Sequence, residues 1–570
     1  MRAWGVLSLI LALALAPLAE ARRSPNDAAH LRDEAFEAAQ WAMTSEAAEA
    51  LARMSARFAQ GDDAIAALAE EREALIARRD RLERQTEQVN QLEGPDRDQR
   101  RAEAATDYGR VLARLREIDA EIDTRFPAYG ELTSPRALDV ARTQALLNED
   151  EGLLLVLVNR DAAYVWAVTR EQVAWARAAD LGEAEVTRVV ARLRESLTAE
   201  ASRGQPYIDP SQIQAGRGFD LFEAHRLYDR LIRPVEPALA GKTTLITVTT
   251  GALSTLPLSV LITEPPTAPD TSAAALAASP WLIDRYALAS LPAVSSLEAL
   301  RCHLAAPGRR HPGCGGGADG SARTATREPG PTLAAFGAPT LAGRVEPATR
   351  GSPGTDTVFT EEGGLADVER LRRLPALPGS RDELGALSAR FPDALIRMGD
   401  AATERAVRFE DREALSRARY VVFSTHGLLA GEAAGLGEPG LVLTPPQEAG
   451  PTDDGYLAAS EAAQLELSAD FVVLSACNTA ASDGRPGGQG LSGLARAFFY
   501  AGARSMLVSH WAVSDRATSR LITETFEAMD DGDFGGHARA LQHAMREVRS
   551  NRAWAHPAYW AAFTLVGEAA

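Results

Sequence analysis

Two segments near the C-terminal end of the chain share one build. Val421-Val422-Phe423-Ser424-Thr425-His426-Gly427 and Phe471-Val472-Val473-Leu474-Ser475-Ala476-Cys477-Asn478 each run through apolar residues onto a reactive side chain. A short unbroken run of β-branched and aromatic residues is the pattern of a strand buried on both faces, as at the centre of a parallel sheet. In open α/β sheets, chemistry gathers at the carboxyl ends of such strands. The two ends here carry an imidazole and a thiol. This is the layout of a cysteine nucleophile with a histidine partner, and it makes a peptidase the leading reading.

The rest of the chain has to supply the scaffold for those two strands. At 570 residues it is too long for a single ordinary core, and two or three domains are expected. Residues 27–127 carry a helical pattern in which Leu31, Phe36 and Trp41 begin the apolar face. Leu68, Leu75, Leu82 and Val89 follow at heptad spacing, Gly94-Pro95-Asp96 breaks the run, and Val111, Leu115, Ile118 and Ile122 mark a returning helix. Segments 153–158 and 163–168 read as a β-hairpin, followed by helices over 183–197 and 221–239 and a strand at 245–248 that ends in Thr249-Thr250-Gly251 without Cys or His. A second alternation of strand and helix begins at Thr332 and includes a helix over 380–391, a strand at 394–398, a helix over 491–501 and a strand at 505–510. The expected fold is α/β, a mainly parallel sheet flanked by helices. The expected division is a leader at 1–21, a helical region at 22–135, an inactive α/β half at 136–301, a Gly/Pro/Arg-rich flexible linker at 302–330 and a catalytic half at 331–570.

Charge and cysteine usage narrow the setting. A net charge of −18 argues against a nucleic-acid partner. Arg2, an apolar stretch over 6–16 and Ala19-Glu20-Ala21 have the layout of a secretory signal, so export to a periplasm or medium is expected, with no membrane span apart from that segment. In an oxidising compartment Cys302 and Cys314 have a disulfide open to them, which would leave Cys477 as the unpaired thiol. His303 and His311 lie in the same loop, but the spacing fits no common zinc pattern; neither metal nor cofactor is expected.

At the candidate site, a free thiol ionises near pH 8.5 and needs a base to act near neutrality. His426 is that base, and it can later return the proton to a leaving amine. Gly427 removes side-chain bulk where a carbonyl must approach, and its N–H with that of Cys477 would form an oxyanion hole, each donor worth about 3 kcal/mol. Ser475 is a candidate substrate contact beside the nucleophile.

The histidine lies 51 residues before the cysteine, from 426 to 477, close to the spacing of caspases. Ser424-Thr425-His426-Gly427, Leu441-Val442-Leu443-Thr444-Pro445, Leu474-Ser475-Ala476-Cys477-Asn478-Thr479, Leu491-Ser492-Gly493-Leu494-Ala495-Arg496-Ala497-Phe498, Ser509-His510-Trp511 and Pro557-Ala558-Tyr559-Trp560 together resemble a CHAT domain. CHAT domains are caspase-like, related to separase and often preceded by tetratricopeptide helices. The resemblance spans roughly 140–567 and is strongest over 415–567. It implies a caspase-like fold, clan CD cysteine endopeptidase chemistry with His426 and Cys477 as the dyad, and an inactive first half. It also implies an acidic specificity residue after the strand that follows the nucleophile. Asp515 holds that place and would select a basic P1 residue; its bland alternative is a helix N-cap, and Asp483 and Glu432 are weaker candidates. Ser-Ala-Cys-Asn-Thr departs from the caspase Gln-Ala-Cys-Arg-Gly, which weakens the case for aspartate preference. The expected partner is a protein or peptide substrate, with the N-terminal helices as a surface for a further protein. The competing function is a non-catalytic scaffold recruited through that helical arm.

Overall fold

The computed structural model describes residues 25–43, 137–198, 218–267, 272–303, 310–314, 330–343, 365–428, 439–450, 452–476, 479, 493–511, 513–530 and 534–569, with scattered helical positions between 71 and 121. The leader expected at 1–21 lies outside them. No helix among the described residues is long and apolar enough to cross a membrane.

One mixed sheet organises the molecule. Its first five strands are β1 (Glu151–Val158), β2 (Ala163–Val168), β3 (Val173–Ala178), β4 (Thr244–Thr249) and β5 (Ala287–Ser290). The second group is β6 (Leu333–Pro339), β7 (Leu395–Gly399), β8 (Tyr420–Ser424), β12 (Phe471–Ser475), β13 (Ser505–Ser509) and β14 (Phe563–Gly567). Three short strands, β9 (Gly427–Leu428), β10 (Gly440–Val442) and β11 (Tyr456–Ala458), form a separate small sheet. Among the described residues the large sheet has 11 strands in the order β3-β2-β1-β4-β5-β14-β13-β12-β8-β6-β7. The two α/β halves thus share one sheet, and a single apolar core runs beneath both.

Strand direction decides where chemistry can gather. β1, β4, β5 and β14 are parallel to one another, and β13, β12, β8, β6 and β7 are parallel in the opposite sense, the reversal falling at the antiparallel pair β13–β14. The second half, β14 excepted, therefore presents its carboxyl ends along one edge of the sheet. Thr249, at the end of β4, points its strand to the other edge.

The helices follow their apolar spacing. α1 (Pro25–Ala42) buries Phe36 and Ala39, with Met43 just past its end on the same side, while Leu31 and Trp41 are exposed. At 100° per residue, Leu31 and Trp41 each lie five positions, about 140°, from Phe36, so the expected face was drawn too wide. α1 docks on the hairpin edge of the sheet: Phe36 meets Trp166 edge-on at 6.4 Å, and the Gln40 amide exchanges two bonds with the Leu138 backbone, 2.8 and 2.9 Å. Farther along, Arg114 grips Glu71 through two bonds, and Leu75 and Leu82 pack on Val111, so two helical stretches lie side by side as the heptad pattern expects.

α2 (Val140–Leu146) and α3 (Glu183–Thr198) follow. α3 buries Val186, Val189, Val190, Leu193 and Leu197 along one stripe. α4 covers only Leu221–Leu231, and a short 3-10 turn takes up Glu236–Leu239. The helix expected over 221–239 stops early because Pro234 disfavours helical backbone at Arg233 and has no N–H to give. α5 (Val368–Arg372), α6 (Pro378–Arg390), α7 (Gly493–Ala501), α8 (Asp515–Asp530) and α9 (His537–Ser550) complete the set used below.

The segment expected to be a loose linker is tied down at its start. Cys302 and Cys314 form a disulfide, Arg142 of α2 donates to the Gly313 carbonyl at 2.5 Å, and His311 Nε2 meets Asn148 Oδ1 at 3.2 Å. Arg301, beside the disulfide and only 3 % exposed, holds Glu151 at the start of β1 in a bidentate pair of 2.6 and 2.7 Å. The same guanidinium reaches Glu568, just past β14, at 3.0 and 3.1 Å. One cation thus fastens the first strand of the sheet to the last.

Two histidines are buried in neutral form. Burial, helped by nearby Arg194, pushes His510 down to about 3, and burial alone pushes His556 down to about 4. His510 Nε2 bonds Thr564 Oγ1 at 3.0 Å and His556 Nδ1 accepts the Ala558 N–H at 3.2 Å. Both folded values lie below the ordinary 6.5, so the unfolded chain takes up protons first as pH falls. The associated stability is full above about pH 6.5 and is lost as pH falls through these folded values, at up to about 1.4 kcal/mol per pH unit for each histidine. Urea midpoints should therefore drop between pH 7 and pH 5, and less steeply in His510→Gln/His556→Gln; a pH-independent midpoint would contradict this.

Candidate active site

β8 and β12 are adjacent and parallel, paired from Phe471 opposite Tyr420 to Ser475 opposite Ser424. His426 and Cys477 each stand two residues past that last pair. Cys477 and Asn478 lie outside the described residues, but their neighbours on both sides are held. Ser509, the last residue of β13, donates its hydroxyl to the Ala476 carbonyl at 2.5 Å, and its N–H bonds Thr479 Oγ1 at 2.8 Å. Ala476 and Thr479, the described residues on either side of 477 and 478, are therefore both held by one residue of the next strand.

On the histidine side, Thr425 donates its N–H to the Ser475 carbonyl at 3.2 Å and its hydroxyl to the Val442 carbonyl. The His426 carbonyl accepts the Val442 N–H at 3.0 Å, and Gly427 then opens β9 opposite Leu441 of β10. The His426 side chain is fully buried, and its Nε2 lies 2.8 Å from the Pro375 carbonyl. A carbonyl can only accept, so Nε2 carries the hydrogen and Nδ1 keeps the lone pair.

The close packing of this edge depends on Gly337 in β6. A Cβ there would come within 2.2 Å of the Ser424 carbonyl oxygen. Gly337→Ala should force β6 and β8 apart at the site and cost about 1–3 kcal/mol, read as a lower urea midpoint; an unchanged midpoint would count against this packing.

The two remaining expected site residues face inward. The Ser475 hydroxyl is buried and donates to Glu383 Oε2 of α6 at 3.0 Å. Asp515 begins α8, as its N-cap alternative anticipated within one position, and is 3 % exposed; its Oδ2 accepts the N–H of Gly379, in the first turn of α6, at 2.5 Å. A Cβ on Gly379 would meet that carboxylate oxygen at 2.6 Å, which accounts for glycine at this position. Asp483 and Glu432 lie outside the described residues.

Sequence reasoning missed Pro375, Gly379, Glu383, Thr479 and Ser509. For Glu383 a signal existed: it shares the buried stripe of α6 with Leu384 and Leu387, and a carboxylate on such a stripe needs a partner. No group of three or more His, Cys, Asp or Glu side chains among the described residues is arranged to hold a metal.

The family model for the CHAT domain matches residues 223–568, more than half of the chain. The chain belongs to the CHAT domain family. Curated relatives of this CHAT protein include tetratricopeptide repeat protein 28 of Mus musculus, 27 % identical over 379 residues that make up 60 % of this chain and 13 % of that protein. The Homo sapiens protein of the same name is 33 % identical over 117 residues, 20 % of this chain and 5 % of that one. The CHAT chain thus spans only a small part of the curated relatives it matches. Among solved structures, it aligns with the Saccharomyces cerevisiae separase–securin complex at TM-score 0.40 and 11 % identity, covering 86 % of this chain and 37 % of that one. It also aligns with the Arg-specific cysteine proteinase gingipain R at TM-score 0.25 and 12 % identity, covering 42 % of this chain and 46 % of that one.

Proposed function

We propose that this protein is a caspase-like cysteine endopeptidase in which Cys477 is the nucleophile and His426 its proton acceptor. The observation that carries the reading is the register of β8 and β12, which sets residues 426 and 477 the same two steps past facing serines, on the edge where carboxyl ends gather. In the proposed reaction the Cys477 thiol gives its proton to His426 Nδ1 and the sulfur attacks the scissile carbonyl. The C–N bond then breaks as the imidazolium returns the proton to the leaving amine, and water hydrolyses the thioester to free the thiol. The Pro375 carbonyl supports the charged imidazolium from its other side.

The basic P1 preference attached to Asp515 is not part of the proposal, because its carboxylate is turned onto Gly379. Export remains part of it: the disulfide between Cys302 and Cys314 suits an oxidising compartment and leaves Cys477 as the free thiol of a chain with three cysteines.

The test is labelling of Cys477 by thiol-directed peptide probes together with turnover of a peptide library that varies P1. Adduct formation and cleavage, both absent in Cys477→Ala, are expected. Neither labelling nor turnover with any peptide would overturn the peptidase reading. It would favour the second one, a scaffold recruited through its N-terminal helices, which the paired helical stretches at Glu71 and Arg114 and the tetratricopeptide relatives keep in view.

A further inference from the structure

The segment 375–383 touches the site at three points. At its start the Pro375 carbonyl holds His426. One step into α6 the Gly379 N–H is bound by Asp515, at the exit from β13. A turn later, on the same face of the helix, Glu383 accepts the hydroxyl of Ser475 at the tip of β12. Ser475 in turn accepts the N–H of Thr425, the neighbour of His426, through its own carbonyl. The contacts close a ring: Pro375 to His426, Thr425 to Ser475, Ser475 to Glu383, and back along the chain to Pro375.

We propose that segment 375–383 is a bracket that holds the imidazole against the tip of β12, two residues before Cys477, with Glu383 and Ser475 as positioning residues for the thiol reaction. The inference rests on the peptidase reading for its chemistry, but not for its geometry. Strand pairing alone fixes β8 and β12 only up to Ser424 and Ser475. Beyond that pair the ladder ends, and contacts from outside the sheet hold the last paired serine and His426. Glu383 grips the last paired residue on the cysteine side, and Pro375 grips the histidine itself. Because both belong to one short stretch ending in a helix, a shift at either end is transmitted to the other. Asp515 anchors the middle, so that the bracket cannot swing as a free arm. Small displacements of a near-attack arrangement are costly, and about a tenfold to hundredfold loss in rate follows from an ångström of misplacement.

The test uses the full chain with Ser475→Ala, Glu383→Ala and Glu383→Gln, each first checked for a cooperative thermal transition. Two readouts are taken: kcat and KM on a cleaved peptide, and the rate of Cys477 alkylation by iodoacetamide against pH, followed by mass spectrometry. With the other two cysteines in a disulfide, alkylation reports Cys477. For the unmodified protein the alkylation midpoint should lie below the roughly 8.5 of a free thiol. Ser475→Ala and Glu383→Ala should lower kcat about 10-fold or more with KM nearly unchanged, and move the midpoint back toward that free value. Glu383→Gln keeps an oxygen for the Ser475 hydroxyl and should rescue both readouts relative to Glu383→Ala. If Glu383→Ala fails to fold, Ser475→Ala decides. Unchanged kcat and midpoint in Ser475→Ala, or no rescue by glutamine, would overturn the bracket while leaving the peptidase reading intact. A low midpoint that depends on Ser475, in a protein that cleaves no peptide, would remove the peptidase reading and keep the bracket. A free-thiol midpoint without turnover would remove both.

Discussion

His426→Ala should lower kcat/KM by about 10²- to 10⁴-fold, the range expected for loss of a general acid–base group, while leaving the fold intact. That corresponds to about 3–5 kcal/mol of transition-state stabilisation. The side chain is buried and its Nε2 bonds the Pro375 carbonyl, so the variant loses that hydrogen bond and some packing rather than a strut of the sheet. Cys477→Ala should fall further, to background, since no covalent intermediate can form. The double variant should be no worse than Cys477→Ala, because the two residues act as a unit and their losses do not add. Peptide turnover by each variant against pH checks this. A His426→Ala protein with the kcat/KM of the unmodified chain would exclude the dyad.

The largest effect on stability is expected at Arg301. Removing it by Arg301→Ala leaves the buried Glu151 and the part-buried Glu568 without their shared cation. Breaking a buried pair in this way typically costs about 3–5 kcal/mol, a large fraction of the stability of any domain. The pH dependence gives the loss a signature. Burial by itself raises Glu151, but the Arg301 bonds and charge, with the Asn148 N–H, outweigh it and hold the carboxyl below its ordinary 4.5. A group depressed in the folded state contributes stability that is present above its unfolded value and lost as pH falls through its folded value. Without Arg301 the effect of burial, the largest influence on Glu151, is opposed only by the Asn148 bond, so Glu151 shifts toward its neutral form and acid should relieve part of the damage. The gap between the urea midpoints of Arg301→Ala and the unmodified protein should therefore narrow from pH 7 to pH 4. A gap that stays constant would show that the guanidinium acts through packing alone.

The strands that carry the candidate site were legible in the sequence, and the reason is local. The runs at 420–424 and 471–475 are unbroken and β-branched, so they read as central strands, and the reactive residues follow them directly in sequence. The hairpin at β1–β2 and helix α3 were legible for the same reason: their periods are clean and their ends carry turn or cap residues. What stayed hidden depended on contacts far apart along the chain. Strands β9, β10 and β11 have two or three residues each, too few for a periodic signal, although β9 holds Gly427 in place. The inward orientation of Ser475 and Asp515 could not be read, since nothing in their own neighbourhood announces Glu383 or Gly379 as partners. Helix α4 was overextended because apolar spacing continues past Pro234 even though the backbone cannot.

β14 has a consequence for the order in which the molecule can be made. It is the last strand of the sheet in chain order, yet it lies between β5 and β13 and pairs with both. During synthesis from the N-terminus, the first half ends on an open β5 edge, and the second half later ends on an open β13 edge. Neither has its neighbour until residues 563–567 leave the ribosome. Strand edges of that kind are adhesive, and pairings between distant parts of a chain form slowly. Ser509, at the tip of that same waiting β13, holds Ala476 and Thr479, the described residues on either side of Cys477 and Asn478. The last strand of the sheet to emerge is thus its keystone, and β13 gains its second neighbour only when translation has passed it.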